Sequence, residues 1–449
     1  MLLKYIMWLA LLGGSLPAPA LATCYRVYSS SNTPANDQIS PADGLAVSSW
    51  GACDTCSGSL GLPSVINVTD SSFQPYGTLL ASSTAPFTAY GRQGGYNAET
   101  VFARCQATDA VYEMYSTNAD DRYSGWYPDG DALGVALGLP SAFRTAWPNV
   151  LLRLTNQSTG SSFTPVWQQR LLTGLDSDSR GYVLIKAKNL SAVRAELFSA
   201  GPESTNYYSA TTKSQSYDYS QPAAYIALKG PGLTYPQVGV PHSQDYNGWY
   251  GFWPGAISLY KNVTLKRYQT CSVVNITPVV LFPTISVAEL NAGGKRVQSF
   301  NIKFNCQTGA TVNSVALNAT AMGIKASPGA VTAASTLGLS NASGGLSYLL
   351  SDDYGQPGMA GGVGIRIFRN DAAINLLANE NSAAGAATAN AQGWYPAVSP
   401  ASQLVSSAGG VNQYAEMFSA SLEKLSIGTQ PPVTPGKVKA TAQLVIRVQ

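Results

Sequence analysis

The sequence predicts an all-β protein of two domains behind a leader, and three observations carry that expectation. Short runs of β-branched and aromatic residues recur between clusters of Gly, Pro, Ser and Asn, the spacing of a sandwich or jelly roll. The last fourteen residues, Gly436 to Gln449, place Val438, Ala440, Ala442, Leu444, Ile446 and Val448 at every second position, the pattern of a strand with one buried face. Composition also breaks near Cys271. Of the 25 tyrosines, 20 lie between Cys24 and Thr270, with six of the eight tryptophans, whereas Ala, Val, Gly, Ser and Asn dominate beyond.

The first 22 residues read as a secretory leader. Lys4 supplies the positive start, Tyr5 to Leu12 the apolar centre, and Ala20-Leu21-Ala22 the cleavage site. That apolar run is too short to span a bilayer, so an exported, soluble protein is expected. Only 11% of residues are charged and the net charge is +3, or +2 (26 − 24) once Lys4 is removed. No basic run appears, so nucleic acid is not an expected partner. Six cysteines in an exported chain imply disulfides. Cys271 and Cys306 stand alone in the C-terminal part and are expected to pair. Cys24, Cys53, Cys56 and Cys105 allow three connectivities, among which the sequence does not choose. With one histidine in the chain, Cys53-Asp54-Thr55-Cys56 is read as structural rather than as a metal or redox motif.

From Cys24 onward, strands are expected at Val65–Thr69, Val150–Leu154, Tyr182–Ala187, Tyr225–Leu228 and Ile257–Tyr260. Asn97–Cys105 and Ser191–Ala200 read as short helices, the second with Ser191 as N-cap and Gly201 at its end. Beyond Cys271, Val273–Thr277 and Arg296–Asn305 read as strands, the latter with Phe300, Ile302, Phe304 and Cys306 on one face. Val363–Asn370 is a further strand, and Ala378–Gly410 reads as a long surface loop. The domains are expected at 23–268 and 269–449. Gly-Trp-Tyr occurs three times, at 125, 248 and 393, with unrelated flanks, so no repeat architecture is implied.

The closing G-x-V-x-A-x-A-x-x-x-I-x-x-Q, the preceding Cys271 and Cys306, and Gly364-Ile365-Arg366-Ile367-Phe368-Arg369 together resemble the pilin domain of chaperone–usher fimbriae. Val448 stands where that family usually has an aromatic residue. The resemblance implies an immunoglobulin-like sandwich lacking its seventh strand, which a periplasmic chaperone and then the donor strand of the adjacent fimbrial subunit supply by β-augmentation. Val438, Ala440, Ala442, Leu444, Ile446 and Val448 would line the groove for that strand, and an outer-membrane usher would assemble the fibre. Cleavage after Ala22 leaves Thr23 and then Cys24, with no room for the donor arm of a shaft subunit, so the resemblance implies a place at the fimbrial tip. The whole would be a lectin-like β-sandwich or jelly roll followed by an incomplete immunoglobulin-like pilin domain.

Catalytic signatures were sought in the same residues. No Gly-x-Ser-x-Gly, P-loop or His-Glu-x-x-His occurs, and the lone His242 reads as a surface loop residue. Glu99, Glu113, Asp120, Asp121, Asp129, Asp131 and Asp245 could supply a glycosidase pair, but their spacing does not favour one. Asp176-Ser177-Asp178-Ser179-Arg180-Gly181 begins like a calcium loop, yet Ala187 holds the twelfth position, where a bidentate Glu is required. No metal and no cofactor is expected.

Sugar recognition fits the composition better, because a glycan needs an aromatic platform beside carboxylates or amides that bond its hydroxyls. Asp120, Asp121, Tyr123 and Trp126 in one loop, and Asp245, Asn247, Trp249 and Trp253 in another, supply those groups for a host glycan or surface receptor. The competing reading is that these aromatics fill the core. Two other functions remain open on the sequence: a carbohydrate-active enzyme with an immunoglobulin-like accessory module, and a biofilm tip protein that binds no sugar.

Overall fold

The computed structural model describes residues 23–123, 130–202, 206–233, 235–245, 253–380 and 388–449. Its buried apolar residues form two main cores, one drawn from Cys24 to Leu265 and the other from Cys271 to Val433.

Several small sheets enclose the first core. Strand β1 (Val65–Asn67) lies at the edge of a three-stranded sheet beside Thr264–Lys266. Strand β2 (Leu79–Ala85) is the edge of a sheet that continues through Val193–Ser199, Val150–Asn156 and Ala142–Arg144. Strands β3 (Tyr112–Thr117) and β4 (Ala224–Lys229) pair antiparallel at the centre of another, flanked by Gln168–Leu171 and Gly255–Ile257. Both faces of this last sheet are covered. Tyr115, Ala224, Ile226 and Leu228 enter the main core, while Met114, Tyr225 and Ala227 pack against Trp167 and Trp253 on the opposite side. That is why Tyr225–Leu228 reads as a continuous apolar run rather than an alternating one.

Two expected helices are strands. Within Asn97–Cys105, residues Val101–Cys105 form a strand buried at every position and paired with Val183–Lys186. Within Ser191–Ala200, residues Val193–Ser199 lie between β2 and Val150–Asn156. Val193, Ala195 and Leu197 face the main core, while Phe198 packs on the other side with Leu151. Burial at every position erases the period-two signal in Val101–Cys105. Val193, Ala195 and Leu197, in contrast, do alternate with exposed Arg194 and with Glu196, a strand signal overridden in the helix reading by the Ser191 cap and Gly201 end. Ala378–Gly410 is more than a surface loop as well: it contains the short helix Ala389–Gln392, the fully buried Trp394 and the strand Gln403–Ala408.

In the second core, β5 (Cys271–Ile276) is the edge strand beside β6 (Arg296–Gln307), followed in the same sheet by β9 (Val411–Lys424) and β8 (Val363–Arg369). Facing them is a three-stranded sheet of Tyr395–Pro396, β7 (Thr320–Ala326) and β10 (Ala442–Val448). Phe300, Ile302, Phe304 and Cys306 of β6 are all buried, as their alternation requires. Disulfides join Cys24 to Cys105, Cys53 to Cys56, and Cys271 to Cys306. The two cores meet through polar side chains: the Gln307 carboxamide oxygen accepts from Thr69 Oγ1 at 2.7 Å and from Thr270 N at 3.0 Å, its nitrogen donates to Asp70, and Lys266 donates to the carbonyl of Gln449.

Candidate functional site

Two features remain exposed once these cores are formed: a groove beside β10 and a cleft at the end of β3. The groove begins with strand pairing. β10 pairs antiparallel with β7 from Ala326 opposite Ala442 to Thr320 opposite Val448. Among the described residues its other edge pairs with no strand, and β5 likewise pairs only with β6. The space between these two free edges is lined by Val273 of β5, 41% exposed, and by the partly buried Leu444 and Ile446 of β10. Beyond β5, Val280 and Phe282 pack on the second core while Val279 and Leu281 are 64% and 78% exposed. A free edge of this length bordered by apolar side chains is a template for another strand.

The six alternating residues do not all belong to that edge. Val448 is fully buried, while Leu444 and Ile446 are partly buried against the second core. Ala442 opens the strand but is exposed. Val438 and Ala440 precede it in an irregular segment, so the strand is shorter than the alternation from Gly436 predicts. The reason is backbone competition: the carbonyl of Lys437 accepts from Ala360 N and that of Lys439 from Asp352 N, both at 2.9 Å, tying this segment to the 352–360 loop. The opposite face of β10 is also packed. Val445 lies against Trp394 and Leu377, and the Arg447 guanidinium stacks 4.8 Å above the Trp394 ring, a cation–π contact.

The cleft is formed by the chain leaving β3. Asp120, Asp121, Arg122, Tyr123, Gly130, Arg144 and Tyr219 line a space of about 710 Å³. Asp121 accepts from Tyr123 N at 2.7 Å and from the Tyr219 hydroxyl, and the Tyr123 and Tyr219 rings meet edge to face at 5.2 Å. Tyr207 packs on Tyr219 in turn, at 4.8 Å. Burial pushes the Asp121 carboxyl above its ordinary value, against the opposing hydrogen bonds of Tyr219 and Tyr123. Burial pushes Asp120 the same way, but the hydrogen bond and charge of His242 outweigh it and hold that carboxyl low. Half-exposed Asp120 lies 3.4 Å from His242 Nδ1. The arrangement presents acceptors, donors and aromatic edges together, the chemistry that hydroxyl-rich ligands need.

His242 is a correction. It is 1% exposed, not a surface residue, and stacks on Tyr225 at 4.7 Å between Trp167 and Trp253. Trp253 is likewise 1% exposed and fills the core against Trp167 and Tyr225, so it offers no platform to a ligand. Asp245 serves the scaffold, its carbonyl accepting from Trp167 Nε1 at 2.7 Å and its carboxylate from Gln237 N. Trp126, Asn247 and Trp249 lie outside the described residues. Of the eight residues, the structure brings Asp120, Asp121 and Tyr123 together in the cleft. Tyr219, Tyr207 and Arg144 were missed because they arrive from distant segments with no local motif to mark them.

The other acids are engaged in the scaffold. Glu113, fully buried, pairs with Arg170 at 2.8 Å and accepts from Ser191 N at 2.9 Å. Glu99 and Asp176 share Lys186 and Lys188, all at 2.7 Å, and the first of those lysines, then the second, pull the Asp176 carboxyl down to about 2. Asp178 accepts from Arg180 N and Tyr182 N at 2.9 Å, closing a polar turn where a calcium loop was weighed.

The family model described as "Fimbrial protein" matches residues 257–449, which agrees with the pilin resemblance carried by the closing strand, the cysteine pair and the strand at 363–369. No curated protein sequence matches the chain. Among solved structures, the P pilus rod subunit PapA is similar at 16% identity over 40% of this chain and 92% of its own, with a TM-score of 0.23. The CupB6 tip adhesin from Pseudomonas aeruginosa is similar at 12% identity over 87% of this chain and 96% of its own, TM-score 0.23. A chain of the CsuC–CsuE chaperone–tip adhesion subunit pre-assembly complex from Acinetobacter baumannii is similar at 10% identity over 94% of this chain and 99% of its own, TM-score 0.19.

Proposed function

We propose that this chain, whose residues 257–449 match the fimbrial protein family, is the tip adhesin of a chaperone–usher fimbria, exported through the periplasm and displayed on the cell surface. The observation that carries the reading is the pair of free edges on β5 and β10 with Val273, Leu444 and Ile446 incompletely covered between them. A complementing strand that buries four such side chains gains roughly 1.5–3 kcal/mol from each, together with a ladder of main-chain hydrogen bonds. The periplasmic chaperone supplies that strand first, the outer-membrane usher exchanges it, and the adjacent subunit keeps it in place. Residues 23–268 are then the receptor-binding, lectin-like domain and 269–449 the anchor.

Receptor contact is assigned to Asp120, Asp121, Tyr123 and Tyr219; Trp126, Asn247 and Trp249 are assigned from the sequence alone, since they lie outside the described residues. Among the described residues, Glu99, Glu113, Asp131 and Asp245 are engaged in ion pairs and scaffold bonds, which favours adhesion over hydrolysis; Asp129 lies outside the described residues.

The test is complementation in trans. The mature chain alone should aggregate or be degraded. With a soluble peptide of alternating threonine and valine, about ten residues long to span a groove of roughly 30 Å, it should run as one monomeric species. A chain that is monomeric and cooperatively folded alone, and indifferent to the peptide, sinks the reading. A glycan array with the complemented chain then separates a lectin, which gives saturable binding, from a tip protein that adheres without sugar.

A further inference from the structure

One end of the groove opens into a cleft of about 750 Å³ between the two cores. Its walls include Cys271–Val273 of β5 and Gln443–Arg447 of β10, and from the first core Val65–Asn67 of β1 and Leu79–Ser83 of β2. Each of these four strands is at the edge of its sheet. The cleft is therefore continuous with the groove, and an extended chain lying along β10 would meet the first core as it passed Arg447.

Arg447 is the unusual wall residue. It is 6% exposed, and among the described residues none of its Nε, Nη1 and Nη2 atoms has a hydrogen-bond partner. The two other charged wall residues, Lys325 and Glu380, pair with each other at 2.6 Å. Nearby Lys266 donates to the main-chain oxygen of Gln449, and burial first, then the charge of Arg447, lower its pKa; the charge of Glu380 acts on Arg447 from the same wall. A buried guanidinium without acceptors is costly, and a carboxylate is the planar acceptor that matches it.

We propose that the complementing strand runs past the groove into this cleft and places a carboxylate on Arg447, so that one strand touches both cores. The inference rests on the donor-strand reading above. β10 runs toward the cleft, and antiparallel pairing is the slightly more stable arrangement, which puts the acidic residue at the start of the incoming strand.

The experiment uses the full mature chain and three threonine–valine peptides, carrying glutamate as first residue, glutamate as last residue, or glutamine at both ends. The first-residue glutamate peptide should bind about tenfold more tightly than the glutamine peptide, with the advantage shrinking at high salt. In Arg447→Gln and Arg447→Lys variants the advantage should vanish and fall, respectively. A photo-reactive group on the first residue should label residues 65–83 as well as 271–273 and 443–447. Equal affinity for all three peptides in the unaltered chain overturns the inference while leaving complementation intact, and this comparison holds even if a variant misfolds. Preference for glutamate as last residue, or labelling confined to residues after 270, overturns it too. Failure of every peptide to bind overturns both readings.

Discussion

The two cores solve the burial problem in different ways. The first is filled by large rings, with Trp147, Tyr90, Phe87, Phe102 and Phe163 fully buried in it and Trp167, Trp253 and Tyr225 fully buried on the other face of the β3–β4 sheet. The second is built from smaller aliphatic residues, with Tyr348 and Phe304 its largest fully buried rings, and it leaves β5 and β10 unjoined with Val273, Leu444 and Ile446 incompletely covered between them. A core of rings can close on itself because each ring contributes much area. One left a strand short is stable only with a partner, which suits a subunit that must be handed from one protein to the next.

The largest effect that would test this contrast is occupancy of the groove. Calorimetry of the peptide-complemented chain should show two transitions, and raising the peptide concentration should lift one of them strongly while leaving the other within a degree or so. Binding to the native form alone adds about 2.7 kcal/mol when the peptide is present at roughly a hundred times its dissociation constant. Equal movement of both transitions would mean that the two cores unfold as one unit.

Next in size is the buried ion pair of the second core. Arg369 Nε lies 2.6 Å from Glu416 Oε1 with both side chains almost wholly buried, and Ser399 and Ser402 add bonds to the same carboxylate at 2.7 and 2.6 Å. Glu416→Gln leaves the guanidinium without its counter-charge and should cost about 3–5 kcal/mol at neutral pH, confined to the transition that the peptide moves. Burial pushes the Glu416 carboxyl up, but Arg369 and the serines outweigh it and hold it below its ordinary value. The pair's stabilisation is thus present above the unfolded carboxyl value of about 4.3 and lost as pH falls through the lower, folded one. Urea midpoints of variant and unaltered chain should converge at acid pH. A constant gap would show that shape, not charge, carries the loss.

How much of this was legible in the sequence depended first on whether alternation survives along a strand. β6 could be read because Phe300, Ile302 and Phe304 alternate with polar residues; β10 could be read from its apolar residues at every second position although its other face is also packed. Val101–Cys105 could not, because burial at every position removes the alternation; in Val193–Ser199 the alternation of Val193, Ala195 and Leu197 with Arg194 and Glu196 is present, but the Ser191 cap and Gly201 end favour a helix. In the cleft, Asp120, Asp121 and Tyr123 are near neighbours in sequence and could be proposed together. Tyr219 arrives from the segment before β4, and Trp253 turned inward because the outer face of the β3–β4 sheet needed cover. Spacing along the chain carries no record of either.

The smallest effect lies in that cleft, and it sharpens the contrast by setting stability against recognition. The Asp121 carboxyl is raised, by burial first and by neighbouring Asp120 last among the raising influences. A raised folded value means its stabilising contribution is present below the unfolded carboxyl value of about 3.9 and lost as pH rises through the folded one. At neutral pH the ionised group is therefore held at a cost. Asparagine keeps an oxygen for the Tyr219 hydroxyl and Tyr123 N, so Asp121→Asn should slightly stabilise the transition that the peptide does not move, and the gain should fade on acidification. The same change removes an ionised acceptor beside Tyr123 and Tyr219, and binding to any glycan the array identifies should weaken. A variant that is less stable at neutral pH, or that binds unchanged, would mark Asp121 as a scaffold acid like Glu113 and would move the search for the receptor site to another surface of the first core.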